Sequence, residues 1–423
     1  MHIKKKIIVI GGGFAGIQLV RRLDEALFEV LLIDKINHHQ FQPLFYQVAT
    51  SQIEPSNISF PLRNIFKYKK NLQIRLAEVL AIEADNHTVH TSIGDFSFDY
   101  LVIAIGCKTN FFGNEDISKN SFTLKTTYDA IKIRNHIIQT FENIISANEE
   151  EKRSLLNFVI VGAGPTGVEL AGAFAEIREH ILPKDYPGIA FSELKIILVE
   201  GSKYTLNNMS SVAKRASGKY LQRMGVNILT ETYVKNYDGL SLELSNGSII
   251  QTKTVIWAAG VTGNTIPGLP QGSITAGNRI KVNRINQVVD SPYIYAIGDI
   301  AFMETPKYPR GHPQLANVAI NQAKNLGNNF KRIVQGEKTK EFEYQDFGSM
   351  ATIGRNKAVV DLPFFKFKGY FAWLVWMFLH LMLILSVRNK LIIFINWAWA
   401  YITKDTSLRL ILNDGNKKQE HQD

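Results

Sequence analysis

The 423-residue sequence has a single cysteine, Cys107. One thiol forms no disulfide, no Cys-ligated cluster and no zinc–thiolate site within a chain. Other metal ligands are thinly spread. The ten histidines are scattered, and the adjacent His38 and His39 have no further ligand at metal spacing, so no metal site is expected. A concentrated basic tract is also missing. The chain has 48 Lys+Arg against 38 Asp+Glu, a net charge of +10. That excess is divided among the N-terminus, residues 67–70 and the margins of a C-terminal apolar region. Such a distribution argues against a nucleic-acid partner and suits an anionic lipid surface. Nor is "MHIKKKIIVIGGG" expected to be a leader: it places only "IIVI" after its basic residues, with no cleavage-type site behind it. It is expected to be the first strand of a mature, cytosolic-side protein. The composition, 45% hydrophobic and 20% charged, is that of a globular chain long enough for two or three domains.

What is present is an internal echo. "IIVIGGGFAGIQLVRRL" (7–23) and "FVIVGAGPTGVELAGAF" (158–174) share one form: an apolar strand, a glycine turn, then a helix with apolar residues at helical spacing. Each is followed by an apolar strand ending in an acid, "VLLID" at Asp34 and "IILVE" at Glu200. These are two βαβ dinucleotide units. In the first, Gly11 permits the tight turn and Gly13 lets backbone approach a pyrophosphate. Gly16 lets the helix lie close to its strand, and free N–H groups at the helix start meet the phosphates. Gly162, Gly164 and Gly167 repeat the pattern. The acids stand 23 residues after Gly11 and 38 after Gly162, and a loop near "LPKDYPGIAFSE" is expected to take up the difference. A carboxylate at each position accepts hydrogen bonds from a ribose diol. At Glu200 it would repel a 2′-phosphate, which favours NADH over NADPH. The late "YIYAIGDIA" (293–301) returns to the first domain. Its Asp299 fits a carboxylate on a flavin's sugar-alcohol chain, which assigns FAD to the first unit.

After "GD" comes "GHPQLANVAINQA" (311–323), read as a helix start that places Asn317 and Asn321 on one face beside Ala316, Ala319 and Ala323. Residues 340–361 read as short strands. Two apolar segments, 369–387 and 391–403, end the chain, split by the polar "RNK". The first would reach roughly 28 Å as a helix, long enough to span a bilayer; the second, at about 20 Å, is too short to return. Trp373, Trp376, Trp397 and Trp399 lie here, with Lys366, Lys368, Arg388, Lys390 and Lys404 around them. Indoles favour the headgroup level and lysines meet anionic lipid, so two helices lying in one leaflet are preferred over a span.

"NHHQFQPLFYQVAT" (37–50), "GAGPTGVELAG" (162–172), "VIWAAGV" (255–261), "AIGD" (296–299) and the tail from "FKGYFAWLVWMF" together resemble the type II NADH dehydrogenases, the single-subunit NADH:quinone oxidoreductases that do not pump protons. The resemblance covers nearly the whole chain. It implies an α/β protein of the two-dinucleotide-binding flavoprotein superfamily, with two Rossmann-like domains and a C-terminal membrane-binding helical region. The expected division is an FAD domain over 1–115 and 265–335, an NADH domain over 116–264, and a C-terminal domain over 336–423. Carried over to this numbering, FAD would contact Gly11, Gly12, Gly13, Phe14, Ala15, Gly16, Asp34, Lys35, Val79, Asp299, Ala319 and Ile320. NADH would contact Gly162, Gly164, Gly167 and Glu200. Lys390 is a candidate for the family's lysine near the flavin. The family's essential glutamate falls on Glu169, to position the nicotinamide or relay protons; the alternative is an ordinary glutamate favouring the helix dipole. Where the family has A-Q-x-A-x-Q with glutamines bordering the quinone pocket, this chain has Asn317 and Asn321.

The implied activity is NADH oxidation with reduction of ubiquinone or menaquinone, by a homodimer held peripherally on the cytoplasmic face of a prokaryotic inner membrane. Two other readings stand beside it: an NADH-dependent reductase of a soluble acceptor such as ferredoxin or oxygen, and an FAD- and NADH-binding redox sensor with little turnover. One cysteine excludes the chemistry of flavin disulfide reductases and of sulfide:quinone oxidoreductases, which need paired or reactive thiols. Cys107 itself reads as a small packing residue.

Overall fold

A computed structural model of the protein describes residues 3–406 and 409–412. Contacts divide the chain into two compact units, each assembled from three stretches of sequence. The first comprises the residues up to Gln40, Phe60–Lys108 and Val261–Gln345. Its centre is a parallel sheet in the order Ile294–Ala296, Tyr100–Ile103, Lys5–Ile10, Phe28–Asp34, Leu72–Leu76. Central strands of a parallel sheet are covered on both faces and so read as continuous apolar runs. Alternation sends Ile7 and Val9 to one face, against helices Phe14–Arg22 and Ala316–Val334, and Ile8 and Ile10 to the other. The late helix starts at Ala316, so "GHPQL" is its lead-in and Asn317 lies in its first turn.

The second unit comprises Phe41–Ser59, Thr109–Gly260 and the chain from Asp346. Its parallel sheet runs Phe122–Thr123, Thr254–Trp257, Asn157–Val161, Lys195–Val199, Val226–Leu229. Residues 41–59, read from sequence as part of the first domain, group here instead. Every residue of their helix Phe45–Ala49 is buried, Gln47 accepts from Trp397 Nε1 at 2.8 Å, and the carbonyls of Ser56 and Asn57 accept from Asn389. Within 340–361 only Ser349–Gly354 and Lys357–Asp361 are strands, joined by Lys366–Gly369 in an antiparallel sheet.

The tail departs from its sequence reading. Its helices are Tyr370–Leu383 and Val387–Thr403, and the break lies at residues 384–386 rather than at "RNK". Ile384 and Ser386 are extended, and Arg388, Asn389 and Lys390 form the first turn of the second helix. Asn389 is buried there because its amide satisfies the two carbonyls of Ser56 and Asn57. No helix among the described residues is long and apolar enough to cross a membrane.

Candidate functional site

Both glycine fingerprints close in the same way. A Cβ on Gly16 would lie 1.9 Å from the Gly11 carbonyl oxygen, and one on Gly167 would lie 1.9 Å from that of Gly162. These contacts hold each helix start against its strand. A Cβ on Gly13 or Gly164 would meet nothing within 4 Å. Each turn therefore leaves an open cradle lined by backbone at the positive helix end, as a pyrophosphate requires. The acids brace these turns. Asp34 accepts from the amides of Gly12 and Ile36, and Glu200 accepts from Ala163 at 2.6 Å and Ser202 at 2.8 Å. Both Asp34 oxygens and Glu200 Oε2 keep a lone pair for a ribose hydroxyl, whereas Glu200 Oε1 also accepts from the Ser202 hydroxyl. Burial pushes the Asp34 pKa up, and its backbone donors pull it down. His39, read only as a poor metal ligand, sits against Phe14 and hydrogen-bonds the Gly12 carbonyl. Burial holds its pKa down at about 4, so the ring is neutral and its Nδ1–H donates to that carbonyl.

Other first-unit residues gather near this turn. Lys35 pairs with Glu78, the neighbour of Val79. Gly298 has φ +78, and a Cβ there would lie 3.2 Å from that of Ala15 and 3.3 Å from that of Ala319. Ala15 and Ala319 are small because the turn before Asp299 packs between their helices, and Ile320 follows directly. The Gly298 amide donates to Gln322. The Asp299 carbonyl accepts from Arg279 at 3.0 Å and from the Cys107 thiol. Asn317 is exposed, and Asn321 turns its amide back onto the Asn317 carbonyl at 2.8 Å.

In the second unit, Glu169 is 9% exposed, in the second turn of helix Pro165–His180. This placement departs from that of an ordinary solvated glutamate at a helix start. Its carboxyl accepts a long hydrogen bond (3.4 Å) from the Thr352 amide and faces the Trp376 indole, which closes no hydrogen bond. Burial raises its pKa to about 8, against the weaker pull of those two N–H groups. Glu169 lines a cavity of about 90 Å³ with Tyr46, Gln47, Glu176, Trp376 and Trp397, among others. Tyr46, Gln47, Glu176 and Arg355 were not singled out from sequence. Glu176 had a signal, since it lies two helical turns past Glu169; Arg355 had none.

The tail tryptophans are not all lipid anchors. Trp376 is 2% exposed and Trp397 8%, both as cavity wall, whereas Trp399 is 61% exposed. His380 stacks on Trp376, and burial lowers its pKa to about 4. The outer faces of the tail are apolar. Val387, Leu391, Ile395, Trp399 and Ile402 form one exposed stripe, and Phe371, Leu374, Phe378 and Met382 another. Phe364 and Phe365, at the tip of the preceding hairpin beside Lys366, are 94% and 73% exposed.

Comparison with known proteins agrees with this geometry. Residues 5–323 match the pyridine nucleotide-disulphide oxidoreductase family, and residues 347–404 match the NDH2 C-terminal domain. The chain is 32% identical over 417 residues to the type II NADH:quinone oxidoreductase NdhA of Mycobacterium tuberculosis, covering 94% of this chain and 87% of that one. It is 30% identical to Ndh of the same organism, covering 95% and 89%. Among solved structures, NDH2 from Plasmodium falciparum in complex with NADH superposes with a TM-score of 0.89 at 22% identity, covering 97% of this chain and all of that one. The sulfide:quinone oxidoreductase of Aquifex aeolicus shares the fold at a TM-score of 0.72 and 20% identity, covering 91% and 92%.

Proposed function

The chain belongs to the type II NADH:quinone oxidoreductase family, and from that premise we propose which of its residues carry each part of the reaction. The protein transfers electrons from NADH to a quinone. When bound, FAD would supply the redox chemistry that links hydride transfer from NADH to quinone reduction. The first unit fits FAD. Its open cradle at Gly13 suits the pyrophosphate, and the backbone from Gly11 to Gly16 surrounds it. Asp34 would hold the ribose, and Lys35, Val79, Asp299, Ala319 and Ile320 complete the proposed contacts. In the second unit Gly162, Gly164, Gly167 and Glu200 would hold NADH, with the Glu200 charge turned against a 2′-phosphate.

The observation that carries the quinone assignment is the cavity around Glu169. Aromatic walls suit a flat, weakly polar ring. A carboxyl with a pKa of about 8 still holds its proton at neutral pH and can give it to a quinone oxygen. Asn317 and Asn321 are proposed as further quinone-facing residues. The exposed stripes of the tail helices and the Phe364–Phe365 tip, with lysines alongside, support seating on an anionic membrane surface. A peripheral homodimer on the cytoplasmic face of a prokaryotic inner membrane is the arrangement proposed.

Two measurements test this reading. In stopped-flow experiments NADH bleaches the bound flavin, and ubiquinone or menaquinone analogues then restore its absorbance over many turnovers; bleaching without restoration would leave a redox sensor. On vesicles containing anionic lipid, changing Phe364 and Phe365 to serine weakens partitioning by about tenfold or more, since burying each ring contributes roughly 1.5–3 kcal/mol. Unchanged co-sedimentation would remove the tip from the membrane surface.

A further inference from the structure

We propose that Glu176 is a second proton station: it restores the proton that Glu169 gives to the quinone, and is itself refilled from solvent at the Glu179 end of the same helix. This inference rests on the assignment of the Glu169 cavity to the quinone. The net reaction is NADH + H⁺ + quinone → NAD⁺ + quinol. The hydride delivers both electrons and one hydrogen, so each turnover draws one proton from the medium. Glu169 can deliver that proton once: its O–H bond breaks as a quinol O–H forms, and a carboxylate is left in a buried site. A buried anion without a cationic partner is costly, and none of the interactions that set the Glu169 pKa comes from a cation. The next turnover therefore needs a donor to Glu169 that connects to bulk water.

Helix Pro165–His180 provides the path. Glu169 and Glu176 are seven residues apart, two turns along one face, and both line the same cavity. Seven residues rise about 10.5 Å, a gap that two glutamate side chains and one or two waters bridge. A cavity of about 90 Å³ has room for several waters. Exposure is graded along the helix: Glu169 is buried, Glu176 half-buried and Glu179 exposed. The surroundings of Glu176 let it cycle between its two states. Burial and the charge of Glu179 favour its acid form; the Arg355 amide, which donates to it, and the charges of Arg355 and Lys357 favour the carboxylate. Tyr46, which faces both carboxyls, has its pKa pushed well up by burial and stays neutral; Tyr401 lines the same cavity. Arg355 is held in place, since its guanidinium donates to the Ala400 and Tyr401 carbonyls at the end of the last helix.

A purely structural Glu176 would serve only to accept the Arg355 amide. Glu176→Gln keeps an acceptor for that amide but has no proton to give. Stopped-flow bleaching by NADH is followed first, as an internal reference for folding and cofactor loading. Reoxidation by a soluble quinone is then expected to slow by about tenfold to a hundredfold, the scale of a lost proton donor. The pH profile should change and the solvent deuterium isotope effect should grow. Glu176→Asp, or added small weak acids, should restore much of the rate. Two stations in series also predict that Glu169→Gln with Glu176→Gln is no slower than Glu169→Gln alone. Wild-type reoxidation and pH dependence in Glu176→Gln, with Glu169→Gln slow, overturn the second station and leave the quinone site standing. Normal reoxidation in both variants overturns the quinone assignment itself.

Discussion

The two βαβ units make the same cradle but put their helices to different use. In the first, the helix ends at Arg22 after nine residues; in the second it runs for sixteen, from Pro165 to His180. The residue two past the third glycine is Gln18 in the first copy and the buried Glu169 in the second. Much of the extra spacing before Glu200 is this helical extension and the short helix Leu182–Asp185, not only the loop expected there. Strand Ser349–Gly354 docks along the second helix, over the shared turns at Glu169 and Gly172, and the turn that follows it reaches the extension at Glu176. A Cβ on Gly172 would lie 1.9 Å from the Ile353 carbonyl oxygen, so glycine is what lets that backbone approach. The approach brings the Thr352 amide to Glu169 and the Arg355 amide to Glu176. The second unit thus has a carboxyl site that the first lacks: Glu169 replaces a glutamine in the shared turns, Glu176 stands on the added length, and one strand and its following turn cover both.

The comparison is broken most severely at Glu169. Glu169→Gln copies the first unit's glutamine and removes the proton. Reoxidation by quinone should fall by about 10²-fold or more, while bleaching by NADH continues. The pH dependence follows from the sign of the shift. Below about 8 the wild-type carboxyl holds its proton and can donate; above it the donor is lost and the rate falls. The variant should show no such fall near pH 8. A wild-type rate that climbs through pH 8 would refute the donor role.

Gly172→Ala comes next. The added methyl must push strand Ser349–Gly354 outward, at a cost of about 1–3 kcal/mol, typical of overpacking. Denaturant titration should show that loss, together with a raised quinone KM as Thr352 and Arg355 withdraw. Full stability would mean that the strand moves freely and that the site does not depend on its close approach.

The bracing acids test whether the two cradles differ in ligand. Glu200→Ala should raise the KM for NADH by about tenfold, on the scale of 1.5 kcal/mol for a hydrogen bond to a charged group. It should also narrow the preference over NADPH. Asp34→Ala should leave the nicotinamide preference unchanged and lower FAD retention on gel filtration. The reverse pattern would exchange the cofactors between the units.

The parts written in local patterns were readable from sequence: the central strands, both glycine turns and the terminal acids. The βαβ grammar is short-range, so spacing alone exposes it. What was not readable depended on long-range closure. Asn389 looked like part of a polar linker, yet its amide is buried on carbonyls more than 300 residues earlier. Trp376 and Trp397 looked like headgroup anchors because composition cannot tell an inward face from an outward one when both are apolar. The first tail segment is apolar almost all round its circumference; in the fold its Ala372–Trp376 side is buried and its Phe371–Phe378 side is exposed. Arg355 acts through its place in a tight turn, which leaves no mark in a single sequence.

The smallest effect is expected at "GHPQLANVAINQA", where the resemblance and the geometry pull apart. Packing accounts for Ala319, which the Gly298 turn approaches, and for Ala323, which is fully buried. It does not account for the asparagines. Asn321 spends its amide on a carbonyl four residues back, a bond within one helix turn that a glutamine's longer arm would give up for reach. Asn317→Gln with Asn321→Gln therefore exchanges a local bond for a more distant one. The quinone KM is expected to shift by about two- to fivefold, near the 0.5–1 kcal/mol of a neutral hydrogen bond. The shift should differ between ubiquinone and menaquinone analogues, because a donor that reaches further meets the two ring systems differently. Identical KM values for every acceptor would take these residues off the quinone's edge and leave them as helix surface.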